Sequence, residues 1–179
     1  MVDISRKTSL SLTVVASRLK ALEGKVAKAG WFASSRYESG MPVAAVAVIQ
    51  EYGAHISRFG SKAGDYTIVI PPRPFMRPTI LREQQQWLTY MASGARAILR
   101  GSLTPEQVYD GIGLRIAADI ARSITLVQSP PLKPATIAAR LRRRADKKTL
   151  GLLDKPLIDS GKMYGDVINS EINHRVDNA

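Results

Sequence analysis

The chain has no cysteine, and that absence removes disulfide bridges, thiol catalysis and any cysteine-bound zinc. Histidine is nearly as scarce. His55 and His174 are the only two imidazoles, and neither has a second ligand at a spacing such as His-Glu-x-x-His. Glu51 stands four residues before His55, which is a weak pair and not a metal site, so a solvated or structural role is the simpler reading for both. No Gly-x-Ser-x-Gly elbow positions a nucleophilic serine, and the glycines form neither a phosphate loop nor a dinucleotide loop. The carboxylate pairs Glu51 with Asp65 and Asp154 with Asp159 have no spacing that fixes a distance, and solvation or capping accounts for them more simply. Aromatic residues are 6% of the chain, too few for a row of base-stacking platforms. No run approaches the roughly 20 apolar residues that span a bilayer. The basic stretch Met1–Lys7 leads into mixed Ser, Thr and Lys instead of a clean signal core. The expectation is therefore a chain that is not an enzyme, with no cofactor, no metal and no membrane partner.

What the sequence does contain is an ordinary apolar share and an excess of positive charge. Hydrophobic residues are 45% of the 179 and charged residues 23%, a balance that favours one folded domain over 1–179 with a sizeable core. Lys and Arg number 26 against 15 Asp and Glu, a formal charge of +11, which draws such a surface toward nucleic acid or an acidic protein. The excess concentrates between Lys133 and Lys148. There Lys133, Arg140, Arg142, Arg143, Arg144, Lys147 and Lys148 stand against the single acid Asp146. No aromatic residue interleaves with them, so the expected contact is one that ignores base sequence, made by a basic arm at about 129–156. A merely solvated arm is the plain alternative.

The densest local signal is Ile70-Pro71-Pro72-Arg73-Pro74-Phe75-Met76-Arg77-Pro78-Thr79-Ile80. Each proline restricts its own φ, removes an amide donor and pushes the residue before it toward extended geometry. The segment therefore reads as a rigid corner where a strand hands over to a helix. Phe75, Met76 and Ile80 supply apolar anchors, while Arg73 and Arg77 supply charged heads.

Around that corner the periodicities predict the rest of the chain. Leu10, Val14, Val15, Leu19, Leu22 and Val26 mark an amphipathic helix over about 8–23 that Gly24 closes. Val26, Ala27, Ala29, Trp31 and Phe32 read as a weakly alternating strand, with Trp31 in the core. Pro42 suits the first position of a second helix that runs to Glu51, Tyr52 and Gly53. Residues 54–65 read as an exposed loop, and Tyr66, Ile68 and Ile70 as a strand entering the corner. A long helix follows Pro78 to about Arg100, and Thr104-Pro105-Glu106-Gln107 opens another toward Val127. So short a turn predicts an antiparallel helical hairpin. After a break at 129–134 come a basic helix over Ala135–Arg144, an irregular stretch over 146–156, a cap at Asp159 or Ser160 and a last strand over 168–176. The expected class is α/β of the α+β kind: a small mixed or antiparallel sheet packed against a long helical hairpin, with an extended basic arm.

Four segments in order, Ala47-Val48-Ile49-Gln50-Glu51-Tyr52-Gly53, Ile70 to Pro78, Pro130-Pro131-Leu132-Lys133-Pro134-Ala135-Thr136-Ile137 and Pro156 to Met163, resemble the small neck and tail-completion proteins of tailed bacteriophages. That group is often labelled minor tail or virion morphogenesis proteins, and the resemblance covers about residues 40 to 176. It implies a compact structural subunit that assembles into a homo-oligomeric ring, commonly six-fold, around the path of the DNA. By the same resemblance Glu51, Tyr52 and Gly53 would hold the second helix against the sheet. Arg73, Pro74, Phe75 and Arg77 would set the corner near an intersubunit contact, and Leu157 to Gly161 would position the returning strand. The implied partners are neighbouring neck, tail-terminator, tail-tube or head-adaptor proteins, with nonspecific contact to channel DNA. The implied place is the virion, at the head-tail junction or the proximal end of the tail, after assembly in the host cytoplasm. The alternative is a stand-alone basic nucleic-acid-binding module without sequence specificity.

Overall fold

The computed structural model describes residues 12–60, 64–146, 153–167 and 169–174. The fold is α+β, and its frame is the hairpin of α3 (Met76–Arg100) and α4 (Pro105–Leu126). α3 stops at Gly101, whose φ of 80° lets its N–H reach back to the carbonyls of Ala97 and Ile98. α4 starts at the expected capping box: Thr104 Oγ1 accepts from the Gln107 amide at 3.3 Å, and Gln107 Oε1 accepts from the Thr104 amide at 2.9 Å. The pairing runs backward along α4 as α3 advances. Ser123 meets the Phe75 carbonyl, Asp119 accepts from the Trp87 indole at 2.8 Å, Gly111 lies under Tyr90, and Val108 lies against Gly94. The helices are therefore antiparallel.

Two short sheets form where one was expected. β1 (Lys25–Gly30) pairs antiparallel with β4 (Asn169–His174), from Lys25 opposite His174 to Gly30 opposite Asn169, and this sheet lies on α4. β2 (Ala54–Arg58) and β3 (Tyr66–Ile70) form a separate antiparallel ribbon, from Ala54 opposite Ile70 to Arg58 opposite Tyr66. α1 (Leu12–Lys20) rests on α3, held by Arg18 Nη1 donating to the Leu99 carbonyl at 2.6 Å. α2 (Val43–Tyr52), α5 (Pro134–Asp146) and the single turn α6 (Lys162–Gly165) complete the described elements.

The core gathers Val43 and Ala47 of α2, Phe75 of the corner, Ala117, Ile120, Ala121 and Ile124 of α4, and Leu157, Met163 and Val167 from the return path. Trp31 meets Phe75 edge to face, ring centroids 5.7 Å apart, and its indole N–H donates to the Met163 carbonyl at 2.9 Å. The expected burial of Trp31 is thus partial, with its polar edge satisfied by backbone.

Several boundaries differ from expectation for identifiable reasons. Ala54–Arg58 is a strand and not loop, because its partner β3 satisfies its backbone while its own sequence offers one large aliphatic residue, Ile56, and no alternation. α3 begins at Met76, ahead of Pro78, since a proline in the first turn forfeits only an amide that has no intrahelical acceptor. Pro42 is the N-cap of α2 and not its first residue. β1 ends at Gly30, before Trp31 and Phe32. Before α6 the N-cap is Gly161, at φ 80°; Ser160 Oγ accepts from the Lys162 amide at 3.4 Å, while Asp159 turns toward α5. The expected helical residues 8–11, Ile168 and the strand end at 175–176 lie outside the described residues.

Gly94 makes opposing forces easy to separate. Helix propensity alone would make Gly94→Ala stabilising by about 1 kcal/mol. An added Cβ, however, would collide with both methyl groups of Val108, a fully buried side chain. Overpacking of that kind costs roughly 1–3 kcal/mol. Urea unfolding should therefore show Gly94→Ala less stable than the parent, and the deficit should shrink when it is combined with Val108→Ala.

Candidate functional site

α2 carries Val43, Ala47 and Glu51 on one buried stripe, each four residues after the last. The stripe ends in a carboxylate because it ends at the start of α3. Phe75 is the N-cap there and has no side-chain acceptor for the free amides. Glu51 supplies it from another helix. Oε2 accepts from the amides of Phe75 (2.8 Å) and Met76 (2.9 Å), and Oε1 accepts from the Arg77 amide (3.1 Å) and Arg77 Nε (2.8 Å). Arg77 Nη2 returns to the Glu51 carbonyl at 3.2 Å, and its guanidinium lies 4.5 Å from the centre of the Tyr52 ring. Burial pushes the Glu51 carboxyl up, but the Arg77 guanidinium and three backbone amides outweigh it and hold the pKa below the ordinary carboxylate value.

Arg73 fastens the same corner to the far end of α4. Its Nε donates to the Pro130 carbonyl at 2.7 Å, Nη2 to the Pro131 carbonyl at 3.2 Å and Nη1 to Gln50 Oε1 at 3.3 Å, while its amide donates to the Gln50 carbonyl at 2.7 Å. Burial, and then the charge of Arg140, lowers its pKa, yet a guanidinium stays protonated. Gly53 turns the chain from α2 into β2 at φ 76°, where a Cβ would stand 2.7 Å from the Ile70 carbonyl oxygen. Only glycine fits.

These positions correct the assignment of the corner as a contact surface. Glu51, Arg73 and Phe75 are 4%, 5% and 1% exposed, so they brace the corner from inside and offer almost no surface of their own. Glu51 ties α2 to the start of α3 and not to a sheet. Tyr52, Pro74 and Arg77 are the exposed members. Beside them lies a cavity of about 380 Å³ lined by Trp31, Ala44, Val48, Tyr52, Met76 and Ile80, among others.

The ribbon rising from Gly53 is the feature the sequence concealed. Its register puts Ile56 opposite Ile68 on one face, shared along β3 by Tyr66, with Ser57 opposite Thr67 on the other. Ile56, Tyr66 and Ile68 are 39–45% exposed, and Phe59 at the turn is 79% exposed. Among the described residues this apolar face is partly exposed. Alternation in Tyr66, Ile68 and Ile70 was the only signal for it, and it showed a strand without showing how far that strand is exposed.

The basic segment divides in two. Arg140 is buried: Nη1 donates to the carbonyls of Leu153 (3.3 Å), Lys155 (2.6 Å) and Ile158 (3.0 Å), and Nη2 to that of Pro156 (3.3 Å). Its expected contact with DNA or an acidic partner is therefore corrected to an internal clamp. The clamp holds 153–158 against α5 and Leu157 enters the core, while residues 147–152 of the expected arm lie outside the described residues. Arg143 pairs with Asp159 at 2.8 Å, and Asp159 Oδ1 also stands 3.6 Å from Arg140 Nε. Lys133 and Arg142 remain exposed, Arg144 lies in the last turn of α5, and Lys147 and Lys148 lie outside the described residues.

The candidate acids have structural partners of their own. Glu51 caps α3, Asp65 accepts from the Gly60 amide at 2.7 Å, and Asp159 serves the two arginines. His55 is exposed on β2. Among the described residues no group of three or more His, Asp or Glu could hold a metal, and no helix is long and apolar enough to cross a membrane.

Two measurements follow from this geometry. A carboxyl whose pKa falls on folding contributes stability that is complete above its unfolded value near 4.5 and is lost as pH drops through the lower folded value. Glu51→Gln should cost about 2 kcal/mol at neutral pH, from three amides left poorly capped, and should flatten the loss of stability that the parent shows on acidification. Calorimetry from pH 7 to 3 reads both. In the basic helix, Arg140→Ala should lose roughly 3 kcal/mol while Arg142→Ala stays within about 0.5 kcal/mol, a contrast that chemical denaturation resolves. Family models, curated proteins and solved structures all return no match to this chain.

Proposed function

We propose that this chain is a structural subunit of a tailed-phage virion, a neck or tail-completion protein that forms a homo-oligomeric ring around the DNA channel. The observation that carries this reading is the β2–β3 ribbon, standing with an apolar face partly exposed on a corner braced by Glu51, Arg73 and Gly53. A lone two-stranded ribbon is marginal in water, and an uncovered apolar strand pair invites another chain. A ring needs each copy to present its contact at one fixed angle. A ribbon rooted in a buried carboxylate, a buried guanidinium and a glycine turn meets that need. The order of motifs across residues 40 to 176 supports the same assignment, with neighbouring neck, terminator, tube or adaptor proteins as partners and the virion as the place of action.

The exposed cations Lys133 and Arg142 favour a second reading, a free-standing module that binds nucleic acid without regard to sequence. It is the weaker of the two, since Arg140 and Arg143 are engaged within the fold.

Light scattering of the purified protein, with and without assembled tails, tests the choice. A discrete ring, or a monomer that becomes incorporated only on tails, is the expected result. A monomer that ignores tails but binds free duplex with a steep salt dependence would overturn the virion reading in favour of the second.

A further inference from the structure

We infer that the cavity between α2, α5 and the return segment is a binding site for a monocarboxylate carried on a small apolar body. This reading does not depend on the ring assignment. The cavity measures about 370 Å³ and lies where the turn at 37–41, α2, α5 and residues 156–163 meet, a size that suits a small ligand. Met41, Val46 and Pro156 supply the apolar part of its wall, and Tyr37, Arg140, Arg143 and Asp159 supply the polar part.

Two donors on this wall lack acceptors. Arg140 commits both Nη atoms to the carbonyls of residues 153–158, which leaves its Nε edge toward Asp159. Asp159 Oδ1 stands 3.6 Å from that Nε, beyond hydrogen-bonding reach, while Oδ2 pairs with Arg143 Nη2 at 2.8 Å. The Arg140 side chain is 8% exposed, and its Nε is the one buried polar side-chain atom without a hydrogen-bond partner among the described residues. A charged donor buried in that state is unfavourable, and a rearrangement that gives it an acceptor is favoured. The second donor is the half-buried Tyr37 hydroxyl, which has no hydrogen-bond partner among the described residues. Burial, then Asp166 and Asp159, raise its pKa, so the phenol keeps its proton at neutral pH.

Charge selects the ligand. Two guanidiniums and one carboxylate on the wall leave one positive charge unbalanced. The flanks keep that sign: Arg36 offsets Glu38, Lys155 offsets Asp154, Lys162 pairs with Asp166 at 3.0 Å, and the exposed Arg142 adds to the positive side. One carboxylate balances the wall, whereas a phosphate brings more negative charge than the wall can answer and sets it against Asp159. An entering carboxylate meets the half-exposed Arg143, which has N–H groups beyond the one that Asp159 takes, and the Tyr37 hydroxyl. Asp159, with its hold on Arg143 shared, can then close on Arg140 Nε. The apolar body lies against Met41, Val46 and Pro156.

Titration of the isotope-labelled full chain with phenylacetate, followed through backbone amide chemical shifts, tests the site. The expected result is a set of saturable shifts centred on residues 37–41 and 156–163. Phenylacetamide, which keeps the body and removes the charge, should bind at least tenfold more weakly. Arg143→Gln changes a half-exposed side chain and should keep the melting temperature while losing at least tenfold in phenylacetate affinity. Asp159→Asn removes the opposing charge, so it should bind phenylacetate more tightly and acquire affinity for inorganic phosphate. A short peptide ending in phenylalanine with a free carboxylate identifies the source of the ligand: tighter binding than phenylacetate assigns the site to the end of a partner chain, weaker binding to a free small acid, and both uphold it. Equal binding of phenylacetate and phenylacetamide would reduce the cavity to an apolar hole and overturn the proposal. Shifts that scatter over the basic surface without saturating, or no shifts at all, overturn it as well.

Discussion

A carboxylate buried between two helices is tolerable only if its charge is fully answered, and the Glu51 side chain is answered by three amides and a guanidinium. The rest of the molecule depends on this arrangement. Through it the end of α2 becomes the cap of α3, so the helix that begins the hairpin is stabilised by the helix that precedes the ribbon. Gly53 follows at once, and the ribbon direction is inherited from that junction. Arg73, reaching across to the Pro130 and Pro131 carbonyls, ties the same point to the end of α4. The corner is therefore tied both to the start of α3 and to the segment that follows α4.

The same logic explains what could be read in the sequence and what could not. Features that are local in chain and physics were legible. The Thr104 capping box, the Gly101 stop, the proline corner, the long hairpin and the α+β class each follow from spacing within a few residues or from short connections. Features whose cause lies across the fold were hidden. Nothing near Glu51 says that it will cap a helix 25 residues onward, and nothing in Arg140 separates it from Arg142 two places later. Helical geometry turns one toward the carbonyls of 153–158 and the other to solvent, and only the path of that later segment decides which. β2 was missed because strand pairing can be satisfied by a neighbour's backbone, without any pattern in the strand's own side chains.

The arginine run shows why composition overstates a surface. Seven cations in one stretch suggest a single electrostatic patch. In the folded chain, one is an internal tie and one is paired with Asp159, so the field that reaches solvent is smaller and differently placed than the count implies. Buried guanidiniums such as Arg73 and Arg140 act here as multivalent donors to backbone carbonyls, a role for which a planar fork of N–H groups is better suited than an ammonium.

The pairing of β1 with β4 carries a consequence for how the chain is made. Lys25 finds its strand partner only at His174, and Trp31 its hydrogen-bond acceptor only at Met163. During synthesis the hairpin of α3 and α4 can form from near neighbours, whereas β1 must wait until Asn169–His174 have left the ribosome. In that interval the strand edge of β1 and the face of α4 that it shares with β4 stay uncovered, at the stage when nascent chains are most prone to associate wrongly. Closing this two-stranded sheet joins the residues most distant in sequence, and it follows the local pairing of the hairpin.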